Sequence, residues 1–140
     1  MSQPPPTLPA ATRVVLVDAN VLFSRVLRDY LLYAAEQEIV SVAWSQAILD
    51  ETKERLVSKL SGFTSESARR LMDALAQTFP DAIVEPTTKD YARLEGIALP
   101  DEDDRHVIAA ALAADAHVIC TDDTKGFRSP ERVQTCALTR

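Results

Sequence analysis

Acidic residues stand directly ahead of an alanine-rich apolar run in the stretch Leu99-Pro-Asp-Glu-Asp-Asp-Arg-His-Val-Ile-Ala-Ala-Ala111. Carboxylates are favoured in the first turn of a helix, where the helix dipole is positive. The stretch therefore predicts a helix over residues 101–114. The apolar run 117–121 follows almost at once and predicts a strand. A helix that leads into a short, continuously apolar strand is typical of α/β proteins.

Predicted strands and helices alternate along the rest of the chain. Short β-branched or apolar runs predict further strands over residues 13–17, 39–42 and 133–137. Apolar residues at intervals of three and four, with Ser or Thr as caps, predict further helices over residues 21–35, 45–58, 64–79 and 88–94. This alternation favours an α/β fold in which helices cover both faces of a parallel sheet.

The length and composition suit one domain. A chain of 140 residues, 46% of them hydrophobic, is long enough for one core and too short for two comfortable ones. Residues 1–12 are rich in proline and lack the basic and apolar regions of a signal peptide, so we expect a disordered lead-in. The predicted domain then spans residues 13–140. Its apolar runs are all too short to cross a membrane.

Other features of the composition narrow the function classes. The two cysteines are too few for a disulfide framework and lack the spacing of a zinc site, which favours a cytoplasmic protein with Cys120 in its core. The three glycines build neither a dinucleotide-binding motif nor a phosphate-binding loop. The formal net charge of −6 opposes phosphate binding, unless part of the acidity lies in a metal site whose cations attract phosphate.

Acidic residues recur where a parallel sheet binds its ligands. Asp18 ends the first predicted strand, and Asp122 and Asp123 end a later one, so these side chains are expected at the same edge of the sheet. Glu51 and Asp104 add carboxylates from two predicted helices. Carboxylates that converge stay ionised only beside cations, and a set of oxygen ligands suits Mg²⁺ or Mn²⁺.

Most of these acids also have a structural interpretation. Asp101 and Asp103 lie where helix-capping residues are common. Asp123 precedes Thr-Lys-Gly and is suited to begin a turn. Asp18 is harder to explain in this way, because a carboxylate at the end of a buried strand needs a partner.

The histidines and the aromatic residues add no separate catalytic group. His117 opens a strand, which predicts a structural role. His106 follows Asp104 by two residues, which leaves a role in the site open, but a solvated position of the helix is the favoured expectation. The aromatic residues expected in the core or in an interface, rather than in a base-stacking surface, are Trp44, Phe23, Tyr30 and Phe79.

Four segments, taken in order, resemble the PIN-domain family, and most of all the VapC-type toxins of bacterial toxin–antitoxin pairs. The resemblance covers about residues 13–128, and the order of all four segments is what makes it specific. The matching segments are Val15-Leu-Val-Asp18-Ala-Asn20-Val-Leu22, Ser45-Gln-Ala-Ile-Leu-Asp-Glu51, the opening stretch from Leu99 through Asp104 to Ala111, and Val118-Ile-Cys-Thr121-Asp-Asp123-Thr-Lys-Gly-Phe127.

The resemblance implies a three-layer α/β/α domain around a short parallel sheet, with a helical hairpin near residues 45–79. It implies metal-dependent hydrolysis of RNA, with Asn20 and Thr121 orienting the metal ligands. Glu54 competes with Glu51 for one ligand position, and Asp122 competes with Asp123 for another. The implied catalytic residues, which would hold Mg²⁺ or Mn²⁺, are Asp18, Glu51, Asp104 and Asp123.

The resemblance also implies macromolecular partners. RNA is the implied substrate, and an antitoxin is the implied protein partner, with a segment that lies along a groove near Trp44 and the 45–79 helices. A homodimer formed through the same apolar surface is expected as well. The basic residues expected to guide the RNA backbone are Arg25, Lys53, Arg55, Lys125 and Arg128.

Three other functions are weighed against a nuclease. A phospho-receiver domain would need a phosphate-accepting Asp after a middle strand, where this chain has Glu85-Pro86. A phosphatase of the DxD type would need a second acid where this chain has Asn20. A PIN-like scaffold without catalysis remains as an alternative, although all four acids are present in the sequence.

Overall fold

The computed structural model describes residues 12–99, 101–121 and 134–137. Within them, four strands form one sheet in the spatial order β2-β1-β3-β4, and every neighbouring pair is parallel. The predicted parallel sheet is therefore confirmed. The strands are β1 (Arg13–Val17), β2 (Val40–Ala43), β3 (Val118–Thr121) and β4 (Gln134–Ala137).

Several predictions fall outside the described residues. They are the disordered lead-in, except for Thr12, the competing acids Asp122 and Asp123, and the basic residues Lys125 and Arg128.

Helices connect the strands at the predicted places. The helix bounds are α1 (Ala19–Phe23), α2 (Arg25–Glu36), α3 (Gln46–Lys59), α4 (Ser65–Thr78), α5 (Thr88–Ala92) and α6 (Arg105–Ala113), with a 3₁₀ turn over Glu102–Asp104 that leads into α6. None of these described helices is both long and apolar enough to cross a bilayer.

One predicted helix is divided in the structure. The apolar spacing over residues 21–35 predicted a single helix, which was wrong, because Ser24 adopts an extended conformation with ψ of 117°. The Ser24 side chain accepts a hydrogen bond from the backbone N–H of Leu27 and so caps α2. A Ser side chain can satisfy the backbone locally in this way, which competes with helix continuation. The break separates the short α1, next to Asp18, from the long α2.

The core lies on both faces of the sheet. Val15, Leu16 and Val17 are all buried although successive side chains of a strand point to opposite faces, so helices cover the sheet on both sides. Cys120 is buried on β3, as predicted. The result is an α/β/α arrangement around a short sheet, as the resemblance implied.

The aromatic residues divide between the core and the surface. Trp44 is 1% exposed and packs edge-to-face against Phe79, with 6.1 Å between ring centroids. Its backbone pairs with Ile83 beyond the end of β2. Trp44 therefore lies in the core, one of the two places expected for it, and a groove for a partner near this residue stays a prediction. Tyr30, by contrast, is 75% exposed on α2 and lies outside the core.

The hairpin of α3 and α4 forms where the sequence predicted it. Ser45 caps α3 by accepting a hydrogen bond from Ile48 N–H, and Thr64 caps α4 by accepting one from Ser67 N–H. The buried side of α3 carries Ile48, Leu49, Thr52 and Leu56. This burial fixes the rotation of α3, and so decides which of its charged residues face the carboxyl edge of the sheet.

Candidate functional site

Asp18 and Thr121 meet at the carboxyl edge of the sheet. Val17 pairs with Cys120 in the β1–β3 register. Asp18, which follows β1, therefore lies beside Thr121, which ends β3. Thr121 Oγ1 donates a hydrogen bond to Asp18 Oδ2 at 2.9 Å, and Ala19 N–H donates to Asp18 Oδ1 at 2.7 Å. The structure thus brings together two of the residues predicted for the site, with Thr121 orienting the Asp18 carboxyl.

The Asp18 carboxyl lies in an unfavourable place for a charge. It is 5% exposed, and burial raises its pKa above the ordinary aspartate value. The hydrogen bonds from Thr121 and Ala19 oppose this shift, while the nearby Glu51 carboxylate adds to it. An ionised Asp18 is therefore stabilised by any cation that approaches this edge of the sheet.

Helix α3 supplies Glu51 and Arg55 to the same place. Arg55 Nη2 lies 2.9 Å from Glu51 Oε2, and Arg55 Nη1 donates to Asn20 Oδ1. Glu54 is exposed on another side of α3. The geometry therefore favours Glu51 in the choice that the sequence left open.

The start of α6 brings Asp104 to the site. Asp101 Oδ1 accepts a hydrogen bond from Asp103 N–H and caps the 3₁₀ turn, which confirms its structural interpretation. Asp101 and Asp103 are exposed, whereas Asp104 is half-buried. Arg105 donates hydrogen bonds to the carbonyl oxygens of Leu94 and Ile97, so it ties the segment after α5 to the beginning of α6.

His106 is part of the site, and its predicted solvated position was wrong. Its Nε2 lies 3.6 Å from Glu51 Oε1. The Glu51 carboxylate raises the pKa of His106, and the imidazole in turn lowers the pKa of Glu51. The spacing from Asp104 was a signal, but the sequence does not show that α3 passes beside α6. His117 has the predicted structural role, since its Nδ1 accepts a hydrogen bond from Val14 N–H at 3.0 Å.

Asp18, Glu51, Asp104 and His106 line one cleft of about 510 Å³. Arg55, predicted only as a general RNA-binding residue, and Tyr91, not predicted at all, are also part of its wall. Residues that line the cleft are Asp18, Asn20, Glu51, Arg55, Tyr91, Asp101, Glu102, Asp103, Asp104, Arg105, His106 and Val107.

The cleft suits a hard divalent cation by the chemistry of its donors. Asp18, Glu51 and Asp104 offer carboxylate oxygens, which are the ligands that Mg²⁺ and Mn²⁺ prefer. In the part of the chain that the structure describes, however, no three His, Cys, Asp or Glu side chains are grouped closely enough to hold a metal ion. The predicted acids therefore share a cleft without forming a closed ligand set, and Asp123 lies outside the described residues.

A comparison with protein-family models shows the family. The model of the PIN domain matches residues 14–125, which is most of the chain. The chain belongs to the PIN-domain family. This membership tells against the phospho-receiver and DxD phosphatase alternatives.

Solved structures of low sequence identity share this PIN fold. VapBC2 from Rickettsia felis, bound to a DNA fragment from its promoter, aligns with a TM-score of 0.61 and 18% identity, covering 87% of this chain and 96% of that chain. FitAcB from Neisseria gonorrhoeae aligns with a TM-score of 0.59 and 19% identity, covering 86% of this chain and 95% of that chain. The search of curated protein sequences found no match.

Proposed function

We propose that this PIN domain is a divalent-metal-dependent endoribonuclease and the toxin of a bacterial toxin–antitoxin pair. The observation that carries the proposal is the shared cleft, to which three separate segments contribute Asp18, Glu51 and Asp104. PIN domains are generally nucleases, and the fold similarity to VapBC2 and FitAcB supports the toxin assignment. We place the activity in the cytoplasm, where RNA is available.

The proposed chemistry assigns roles to the residues of the cleft. Asp18, Glu51, Asp104 and Asp123 would hold Mg²⁺ or Mn²⁺. A bound ion of this kind supplies a water of lowered pKa and a positive charge beside the scissile phosphate. Thr121 holds the Asp18 carboxyl through its 2.9 Å hydrogen bond, which keeps one Asp18 oxygen fixed while the site is loaded.

A PIN-like scaffold without catalysis is the second candidate. It is favoured by the contact between Glu51 and Arg55, because a proposed metal ligand is already engaged by a cation of the chain. The two candidates differ in whether purified protein cleaves RNA when Mn²⁺ is supplied.

RNA cleavage by the purified chain tests the proposal. We expect EDTA to stop the cleavage of a labelled single-stranded RNA and Mn²⁺ to restore it, because hard oxygen ligands accept this ion. Asp104→Asn should lower the cleavage rate by roughly a hundredfold or more, a typical cost of removing one electrostatic group from an active site. The rate is read from the band pattern on a gel.

Asp115→Asn is the matched control. It makes the same change of charge at an exposed position beyond the end of α6, away from the residues that line the cleft. It should cleave RNA like the original chain. Full cleavage by a chelated preparation would refute the metal requirement, and unchanged cleavage by Asp104→Asn would refute the site.

A further inference from the structure

The guanidinium of Arg55 lies inside the acidic cleft. One of its nitrogens is 2.9 Å from Glu51 Oε2, and another donates to Asn20 Oδ1. It is also close enough to Asp18 to lower the pKa of that carboxyl. Arg55 therefore contacts or influences three of the residues assigned to the proposed site.

Arg55 and a divalent ion would need the same carboxylate. Guanidinium and carboxylate form strong charge-assisted hydrogen bonds, so Glu51 Oε2 is engaged while Arg55 holds it. A dication bound to Glu51 would also lie within a few ångströms of the guanidinium, where like charges repel strongly. The two cations should therefore exclude one another at this oxygen.

Arg55 has a route out of the cleft. Its side chain is 32% exposed, so the guanidinium can turn toward solvent without disturbing the buried side of α3. A long side chain at the rim keeps its charge hydrated after such a movement.

We propose that Arg55 is the resident counter-cation of the cleft and sets its affinity for a divalent ion, which displaces the guanidinium from Glu51. The inference rests on the proposed metal-dependent function. In this proposal, the chain itself weakens metal binding through one residue of α3. Without the ion, Arg55 keeps the neighbouring carboxylates compatible with the folded state.

Calorimetric titration of the full chain with Mn²⁺ tests the proposal. Arg55→Gln should bind Mn²⁺ more tightly than the original chain, on the order of tenfold. Arg69→Gln is the matched control, because it makes the same substitution and removes ion pairs to Glu66 and Asp73 on the exposed face of α4. Its Mn²⁺ affinity should stay within about twofold of the original, since exposed charges are screened.

Displacement itself has a direct readout. The Nε–Hε resonance of Arg55, identified by its loss in Arg55→Gln, should shift in the NMR spectrum of the original chain when Mg²⁺ is added. If Arg55→Gln fails to fold, Arg55→Met replaces it for the assignment and the titration, because it also removes the charge and keeps an unbranched side chain along the surface of α3.

The outcomes separate this proposal from the proposed function. If the original chain binds Mn²⁺ and the arginine variant binds it no more tightly, the role of Arg55 is refuted and the metal-dependent function stands. An Arg55 resonance that stays unchanged at saturating Mg²⁺ refutes displacement in the same way. If neither the original chain nor the variant binds Mn²⁺, the metal-dependent function fails, and this inference fails with it.

Discussion

The buried carboxyl of Asp18 opposes the stability of the fold at a position where we propose that a cation binds. Burial raises its pKa, so the ionised form costs free energy in the folded chain. The hydrogen bonds from Thr121 and Ala19 reduce this cost and fix the direction in which the carboxyl points. A free energy penalty of this kind is expected where a cation is to be bound.

Asp18→Asn should raise the free energy of unfolding of the metal-free chain at neutral pH. A carboxyl whose pKa is raised on folding lowers the free energy of unfolding at pH values above its ordinary pKa, because the folded state disfavours the ionised form. The gain should shrink as the pH falls through the raised pKa of the folded state, and it should vanish below the ordinary value of 3.8, where Asp18 is protonated in both states. Urea unfolding at a series of pH values measures it.

The same variant should lose RNA cleavage while keeping its fold, which circular dichroism checks. Asp115→Asn is a suitable control, because Asp115 is exposed beyond the end of α6. Its unfolding profile should follow that of the original chain. A variant at Asp18 that is less stable than the original at neutral pH would contradict the unfavourable burial of the carboxylate.

Among the elements, α3 connects the core to the cleft. Its buried side holds it against α1 and α4, and Ser45 fixes its first turn. Because 3.6 residues make one turn, Glu51 and Arg55 lie one above the other, next to this buried side. The rotation of one amphipathic helix therefore decides which glutamate the cleft receives.

Glu51→Gln and Glu54→Gln should differ sharply in RNA cleavage. Both remove one charge from α3, but Glu51 lines the cleft and Glu54 is exposed elsewhere. We expect the first variant to lose roughly a hundredfold in rate and the second to stay within about twofold of the original. Initial rates at saturating Mn²⁺ make the comparison. The opposite order would move the helix-borne ligand to Glu54.

For the molecule as a whole, charge and exposed surface point toward partners. The formal net charge is −6, so the proposed RNA substrate would be attracted by local cations rather than by the overall field. Val26, Tyr30 and Tyr33 lie exposed along one side of α2. Homodimerisation stays a prediction, as do the antitoxin and its expected position in a groove near Trp44.

Expression of the chain alone in a bacterial host should arrest growth, and co-expression of an adjacent small open reading frame should relieve the arrest. The reason is that an uninhibited ribonuclease depletes cellular RNA, whereas an antitoxin can pair a basic residue with the acidic cleft. Growth curves and the copurification of the neighbouring product are measured.

Asp104→Asn, expressed at the same level, is the control and should leave growth unaffected. Normal growth of cells that contain abundant folded original chain would count against the toxin assignment. In that case the cleavage assay on purified protein would still decide the nuclease assignment.

Local sequence patterns were sufficient for most of the fold. The β-branched run before Asp18, the cap at Ser45 and the alanine-rich run after Asp104 each specify an element through short-range preferences, and all three elements are present. The break at Ser24 was missed because a Ser inside an apolar helical pattern is compatible with either continuation or capping. The parallel order of the strands followed from their apolarity and from the helices between them.

The contacts of the cleft depended on packing between segments that are distant in sequence. The sequence marked Asp18, Glu51 and Asp104 as acids at promising positions, but nothing local indicates that His106 lies beside Glu51 or that Arg55 reaches Asn20. Those contacts exist because the buried side of α3 sets its rotation against α1 and α4 and so directs its charged residues toward Asn20 and His106. Periodicity assigns a residue to a face of a helix, whereas only the assembled core determines what that face meets.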